Sequence, residues 1–289
     1  MQMKRITRIS GKQPFQATAL LLAVLLPLLT GCDLQKDIDV ELPAYPAQLV
    51  VEFYLTPGQV PQLTVTETTE YLASPTPAVP RDVRVVLTSP GGLADTIPFA
   101  PSYDSLVQKA FTHRGTKPVQ ARPGDTFTLD ITDTKGRHIT GTATMPALVP
   151  IDTVEWKFND KPDDQRRAYV LLRFHDPATP GDYYRFQVHR SKISREPEVD
   201  YTPEDRLNNG QEFTLGTSYE FKPNDTLVVS LFHLDRPYYQ FQQSVQDARN
   251  ANGNPFAQPA AIKSTVQGGV GVFTVLSYQR RTIIVKNRL

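Results

Sequence analysis

Two short stretches set a histidine beside a carboxylate at the end of an apolar run. His175-Asp176-Pro177 closes "AYVLLRFHD", and His233-Leu234-Asp235 closes "TLVVSLFHL". A histidine oriented by a carboxylate is a common general base in hydrolytic sites. If both strand ends met at one sheet end, with Asp182 nearby, they would make such a site in the second half of the chain. The plainer expectation is that these groups are solvated turn ends that satisfy backbone amides. His113, His138 and His189 are scattered. The carboxylate pairs Asp163-Asp164 and Glu204-Asp205 lie in polar loops and read as a solvated rim, with Pro203-Glu204-Asp205 as a turn. No His-Glu-x-x-His helix, Cys–His cluster or Gly-x-Ser-x-Gly elbow occurs. "QGGVGV", residues 267–272, lacks the Gly-Lys-Ser/Thr ending of a phosphate loop and lies between strand-like runs, so it reads as a bend or a close backbone contact. The expectation is a protein without catalytic residues, metal or cofactor, and the hydrolase built on the second-half histidines is the alternative. Tyr183, Tyr184, Tyr201, Tyr219, Tyr238 and Tyr239 fall beside loops in the second half. Core packing is their default role, and binding through exposed rings is the alternative.

The single cysteine of the 289-residue chain, Cys32, carries a different chemistry. Lys4, Arg5, Arg8 and Lys12 precede an apolar run from Ala17 to Leu29, with no acid among them. The run is shorter than the roughly 20 residues of a spanning helix. A basic start, a short apolar run and small residues form the layout of a secretory signal. Leu29-Thr30-Gly31-Cys32 resembles the lipobox of bacterial lipoproteins. In that class the thiol takes a diacylglyceryl group, the signal is cut off, and the freed amine takes a fatty acyl chain such as palmitate. Several chains anchor stably where one anchors marginally. The alternative is a buried free cysteine beside a true transmembrane segment. Removing the four signal cations from a formal charge of +1 leaves −3 for the rest, which is not the basic profile of a nucleic-acid binder.

These readings divide the chain into a signal peptide (1–31), a lipidated tether (32–47) and two β-rich regions. The tether "KDIDVELPAYP" mixes acids with prolines and has no helical period. Extended, residues 33–47 reach roughly 50 Å. Residues 48–147 alternate apolar and polar in short runs with turn signals between them, which predicts an immunoglobulin-like β-sandwich. The clearest hairpin is "GDTFTLDITDTKGRHITGTATMP". Phe127, Leu129 and Ile131 share a face, Lys135-Gly136 turns the chain, and the small residues Gly141 and Ala143 leave room for a bulky neighbour. Residues 148–289 form a second β-rich domain, in which "TLVVSLFHL" reads as a central strand buried on both faces. Residues 235–250 break the pattern: Tyr238, Phe241, Val245 and Ala248 recur at helical spacing, Asp235 suits an N-cap, and Asn252-Gly253 stops the helix. The fold class is all-β and mainly antiparallel, with one amphipathic helix.

Across nearly all of the chain after Cys32, the sequence resembles family 4249 of the domains of unknown function, outer-membrane lipoproteins of Bacteroidota. The resemblance rests on "CDLQKDIDVELP", "LVVEFYLTPGQVPQLTVTETTEY", "RPGDTFTLDITDTKGRHITGTATMP" and "FHDPATPGDYYRFQV", and most specifically on "NANGNPFAQPAAIKSTVQGGVGVFTVLS". It implies a lipid-anchored protein of the outer membrane, on the cell surface or, alternatively, on the periplasmic face. The implied partner is a TonB-dependent receptor, with a small ligand to capture or a barrel to cap. Asp33, Asp37, Asp39 and Glu41, interrupted by Lys36, loosely resemble surface-export signals. The family carries over no catalytic residues. A structural or adhesive envelope module is a further alternative.

Overall fold

The computed structural model describes residues 46–70, 76–206, 209–252 and 260–286. The signal, Leu29, Thr30, Gly31, Cys32 and most of the tether lie outside the described residues. Residues Tyr45–Leu289 form one compact unit. It is built on β1 (Leu49–Leu55), β2 (Gln62–Glu67), β3 (Arg84–Thr88), β4 (Ala94–Ile97), β5 (Phe99–Asp104), β6 (Lys109–Arg114), β7 (Thr126–Thr132) and β8 (His138–Thr144). There follow β9 (Thr153–Phe158), β10 (Ala168–His175), β11 (Tyr183–Arg190), β12 (Val199–Tyr201), β13 (Glu212–Gly216) and β14 (Thr226–Leu234). The helix α1 (Arg236–Ala251) precedes β15 (Val266–Gln267), β16 (Val270–Val275) and β17 (Ser277–Ile284).

The strands assemble into four sheets. Sheet I has the order β16-β1-β2-β6-β5, and sheet II the order β15-β8-β7-β3-β4. Sheet III is β13-β10-β9, and sheet IV is β12-β11-β14-β17. Sheets I and II share one core. Period-2 alternation sends Leu49, Val51, Phe53 and Leu55 of β1 into it, opposite Phe127, Leu129 and Ile131 of β7. Sheets III and IV enclose a second core, where Val170, Leu172 and Phe174 meet Tyr184, Phe186 and Val188. The β7–β8 hairpin forms as its sequence predicts, with Thr128 opposite Thr142 and Gly136 at a φ of 82° in the turn. Strand β14 is central in sheet IV, and its second half is buried on both faces. The all-β, sandwich-like architecture is therefore the one its alternating runs specify.

The boundary between the two regions is not where the chain order puts it. Residues 266–275, expected in the second domain (148–289), belong to the first sandwich. Strand β16 pairs in parallel with β1, with Val50 opposite Val270 and Leu55 opposite Val275, and Phe273 stacks on Phe53 at 5.2 Å between ring centres. Every other ladder between the described strands is antiparallel. The physical reason is local: without β16 the long inner strand β1 would end sheet I with an unpaired edge. The approach is close enough to need glycine. Gly271 has a φ of 134°, and a Cβ there would collide with the carbonyl of Val51. Gly141 likewise clears the side chains of Val266 and Phe273, the bulky neighbours its size implied.

Helix α1 lies at the waist. Asp235 accepts a hydrogen bond from the Tyr238 amide at 2.7 Å, and Pro237 occupies the first turn. Tyr238 packs with Tyr54 and Val272 of the first sandwich and with Phe232 and Tyr183 of the second. The helix thus joins the outer faces of sheets I and IV.

Candidate functional site

The histidine–carboxylate site that the strand ends suggested forms only in part. His233 and Asp182 do meet: Nε2 lies 2.8 Å from Asp182 Oδ1, and Nδ1 lies 2.8 Å from the carbonyl oxygen of Ala147. A carbonyl can only accept, so Nδ1 carries a proton and donates it. The Nε2–Oδ1 contact then needs a proton of its own, shared between the imidazole and the carboxyl group. Asp176 and Asp205 stand close by, and the carboxylate oxygens of all three aspartates lie within 4.8 Å of one another. Burial pushes the Asp182 carboxyl above the usual carboxylate range. His233 opposes that shift, while Asp176 and Asp205 add to it.

Hydrogen bonds explain why the chain gathers these groups. Asp176 accepts from the Tyr184 hydroxyl and, at 2.8 Å, from the Gly210 amide. Asp205 accepts from the Gly181 amide at 2.9 Å. Asp176 and Asp205 therefore clasp the loop after β10 to the loop after β12, while Asp182 ties the first of these loops to His233 on β14. Asp205, expected on a solvated rim, is buried because its carboxylate satisfies an amide within that clasp. Asp163 and Glu204 remain outside the cluster, in separate ion pairs with Arg166 and Arg206.

His175 and Asp235 do not join. Successive residues of a strand point to opposite faces, so Asp176 entering the cluster turns His175 away. His175 contacts Asp152 at 2.6 Å, with 72% of its side chain exposed. Asp235 is occupied as the helix cap. The four residues of the hydrolase alternative thus lie at three separate places. His113 and His189 are buried, and burial pushes both below the ordinary imidazole range. His138 pairs with Asp130 across the β7–β8 hairpin.

A larger site lies beside the waist helix. A groove of about 1190 Å³ runs between β1 and β16 on one side and β11, β12 and α1 on the other. Its wall is a fixed polar array. The Arg185 guanidinium makes two bonds to Asp200, at 2.8 and 2.6 Å, and a third to the Tyr238 hydroxyl at 3.2 Å. Gln187 also donates to Asp200, and Gln242 to Tyr238. Tyr54 on β1 stands edge-on to Tyr238, with the Lys109 ammonium 4.7 Å from its ring centre. Burial pushes the Tyr54 hydroxyl well above the ordinary phenol range, and Tyr238 and Glu52 push it further. Among the described residues that hydroxyl has no hydrogen-bond partner, although it faces the groove.

Of the tyrosines singled out by sequence, Tyr184 and Tyr238 are buried in packing. Tyr183 stacks on Tyr239 at 4.4 Å, and Tyr219 stands edge-on to Tyr169. Of these only Tyr201 lines the groove, and Tyr238 lies behind its wall, bonded to Arg185 through its hydroxyl. Glu52, Tyr54, Arg185 and Asp200 were not singled out, because alternation assigns them to solvated faces. The available signal was Val50 and Tyr54 on the polar face of β1: apolar residues on both faces of a strand mean that both are covered.

The fold and groove define a tandem β-sandwich protein with a binding-type cleft at the waist. The chain belongs to the family described as domain of unknown function DUF4249, whose model matches residues 35–282. No curated protein matches it. Among solved structures it is similar to one titled "Cytokine receptor complex - Crystal form 2", at 10% identity over 65% of this chain and 92% of that one. The TM-score is 0.26, too slight a likeness to bear on function.

Proposed function

We propose that this protein is a lipid-anchored accessory protein of the bacterial outer membrane, which binds a ligand in its waist groove beside a TonB-dependent receptor. The observation that carries the binding reading is the groove itself. Ligand sites favour clefts between domains, with a few fixed polar groups among aromatic and apolar walls, and the Arg185–Asp200–Tyr238 array has that character. The anchor reading rests on the signal layout and on Leu29-Thr30-Gly31-Cys32. The tether lets the sandwiches stand off the headgroups, on the cell surface in this reading. The receptor as partner follows from what the family resemblance implies.

Crosslinking on intact cells, followed by pull-down in mild detergent, tests the partnership. The expected result is co-recovery of a barrel receptor; recovery of the lipoprotein alone sinks the partnership. Cys32→Ser tests the anchor, since serine offers no thiol for the thioether. The variant should leave the membrane fraction. If it stayed there at wild-type levels and resisted salt washing, the anchor reading would be wrong.

A further inference from the structure

We infer that the waist groove takes a neutral oligosaccharide, a deepening that rests on the binding reading above. Size comes first. At about 1190 Å³ the groove exceeds the roughly 300–1,000 Å³ of sites for single small molecules, so an oligomer suits it.

Charge comes second. The charged groups of the floor and wall already neutralise each other. Glu52 pairs with Lys109 at 2.6 Å, and Arg185 holds Asp200 through two bonds. No uncompensated charge is left there to attract an ionic ligand. Arg195, Glu196 and Arg249 border the groove as exposed residues, where a charge in water contributes little.

Hydrogen-bonding capacity comes third. The free Tyr54 hydroxyl can donate and accept, Gln242 keeps its amide oxygen after donating to Tyr238, and the Glu52 carboxylate still accepts. A lining that mixes donors and acceptors suits hydroxyl groups, each of which does both. Phe241 and Tyr201 line the groove and supply aromatic surface against which the C–H side of a sugar ring can pack.

Extended peptide, the other polymer of this width, binds by adding a strand to an open sheet edge. Neither edge at the groove is open in that way. Along β16, Ser264 Oγ accepts from the Gly271 amide, and Thr265 Oγ1 bonds both the amide and the carbonyl of Phe273. Strand β12 is three residues long and stands between Pro197 and Pro203.

Isothermal titration of the full chain in detergent tests the inference. The probes are malto-, cello-, xylo-, manno- and chitohexaose, with hexagalacturonate and a mixed hexapeptide pool as the charged and peptide arms. At least one neutral hexasaccharide should bind. Tyr54→Phe, which keeps the ring and its packing, should weaken that binding about three- to tenfold through one lost hydrogen bond. Gln246→Trp, which plants a ring on the exposed helix face beside the groove, should abolish it. Three results would overturn the assignment: no neutral sugar binding, preference for hexagalacturonate or peptide, or sugar binding indifferent to both variants. Receptor recovery is read separately. Sugar binding without a co-recovered barrel overturns the partnership and keeps the ligand class, and a barrel without sugar binding does the reverse.

Discussion

In the first sandwich, Glu67 and Asp133 converge on Arg137, with Lys135 alongside. In the second, Asp176, Asp182 and Asp205 converge on one another, with only His233 to offset them. The consequences for ionisation are opposite. Hydrogen bonds from Arg137, then Lys135, hold the Glu67 carboxyl below its usual range. Burial alone would raise Asp133, but bonds from the Arg137 side chain and amide outweigh it and leave it lowered. Asp182 is raised, first by burial and then by its two acidic neighbours. Location does not separate the two sets, since both tie loops together on similar β-sandwiches. The difference lies in what faces the oxygens: a guanidinium with a lysine beside it in one case, and for Asp182 a single imidazole with two more carboxylates beside it, while its buried Oδ2 has no hydrogen-bond partner among the described residues. Opposing charge beside a covered carboxylate lowers its pKa, whereas burial beside like charge raises it.

The sharpest way to break the comparison is Arg137→Met. It leaves Asp133, whose side chain is fully covered, without a cation, and Glu67 with Lys135 alone. Urea unfolding at pH 7 should show a loss of about 2 kcal/mol, between the values for exposed and buried pairs. The loss should shrink at pH 3, where these carboxylates begin to protonate. Equal losses at both pH values would mean that Arg137 acts through packing alone.

Asp176→Ala comes next. It removes the acceptor of the buried Tyr184 hydroxyl and of the Gly210 amide, but also relieves its acidic neighbours. The net cost should be about 1 kcal/mol. Hydrogen exchange should show Gly210 losing protection first.

The smallest effect has the opposite sign. A carboxyl whose folded pKa is raised favours folding below its unfolded pKa, near 3.9, and that benefit is lost as pH rises through the folded value. Asp182→Asn removes this loss, and its amide can still donate to His233 Nε2. The variant should melt roughly 1–2 °C above wild type at pH 7, a gain of about 0.5 kcal/mol, and show no gain at pH 3.5. The same reasoning orders the wild-type response to acid. Asp182, whose carboxyl is raised, takes up its proton first as pH falls. The first sandwich weakens afterwards, as Glu67 and Asp133 protonate through their lowered values. Simultaneous changes in amide exchange in the two regions would contradict that order.

Most of the strands were legible because period-2 alternation reports a half-buried face directly, as in β1, β7 and β10. The helix was legible through its cap, Asp235, and its apolar stripe. The partner of β1 was not. Strand β16 is apolar on both faces, which says that both are covered but does not name its neighbour, and parallel pairing leaves no turn between partners. Part of the acidic cluster was legible in the meeting of His233 with Asp182. Grouping His175 with Asp176 set aside strand alternation, and reading Asp205 as rim set aside its use as an amide acceptor. The groove was hidden because its residues sit on faces that only the packing of one sandwich beside the other covers.

The late arrival of β16 bears on how the chain matures. A ribosome makes β1 some 220 residues before its parallel neighbour, Val50 before Val270, so the first sandwich waits with one inner strand bare until residues 270–275 follow. Pairings this distant in sequence close slowly. A chain truncated before Val266 would hold both signal and tether and most of the strands, yet lack the parallel neighbour of β1. Strand β16 therefore works as a checkpoint: a sealed first sandwich certifies that the chain has been made through the second sandwich's core strands and on to Val275.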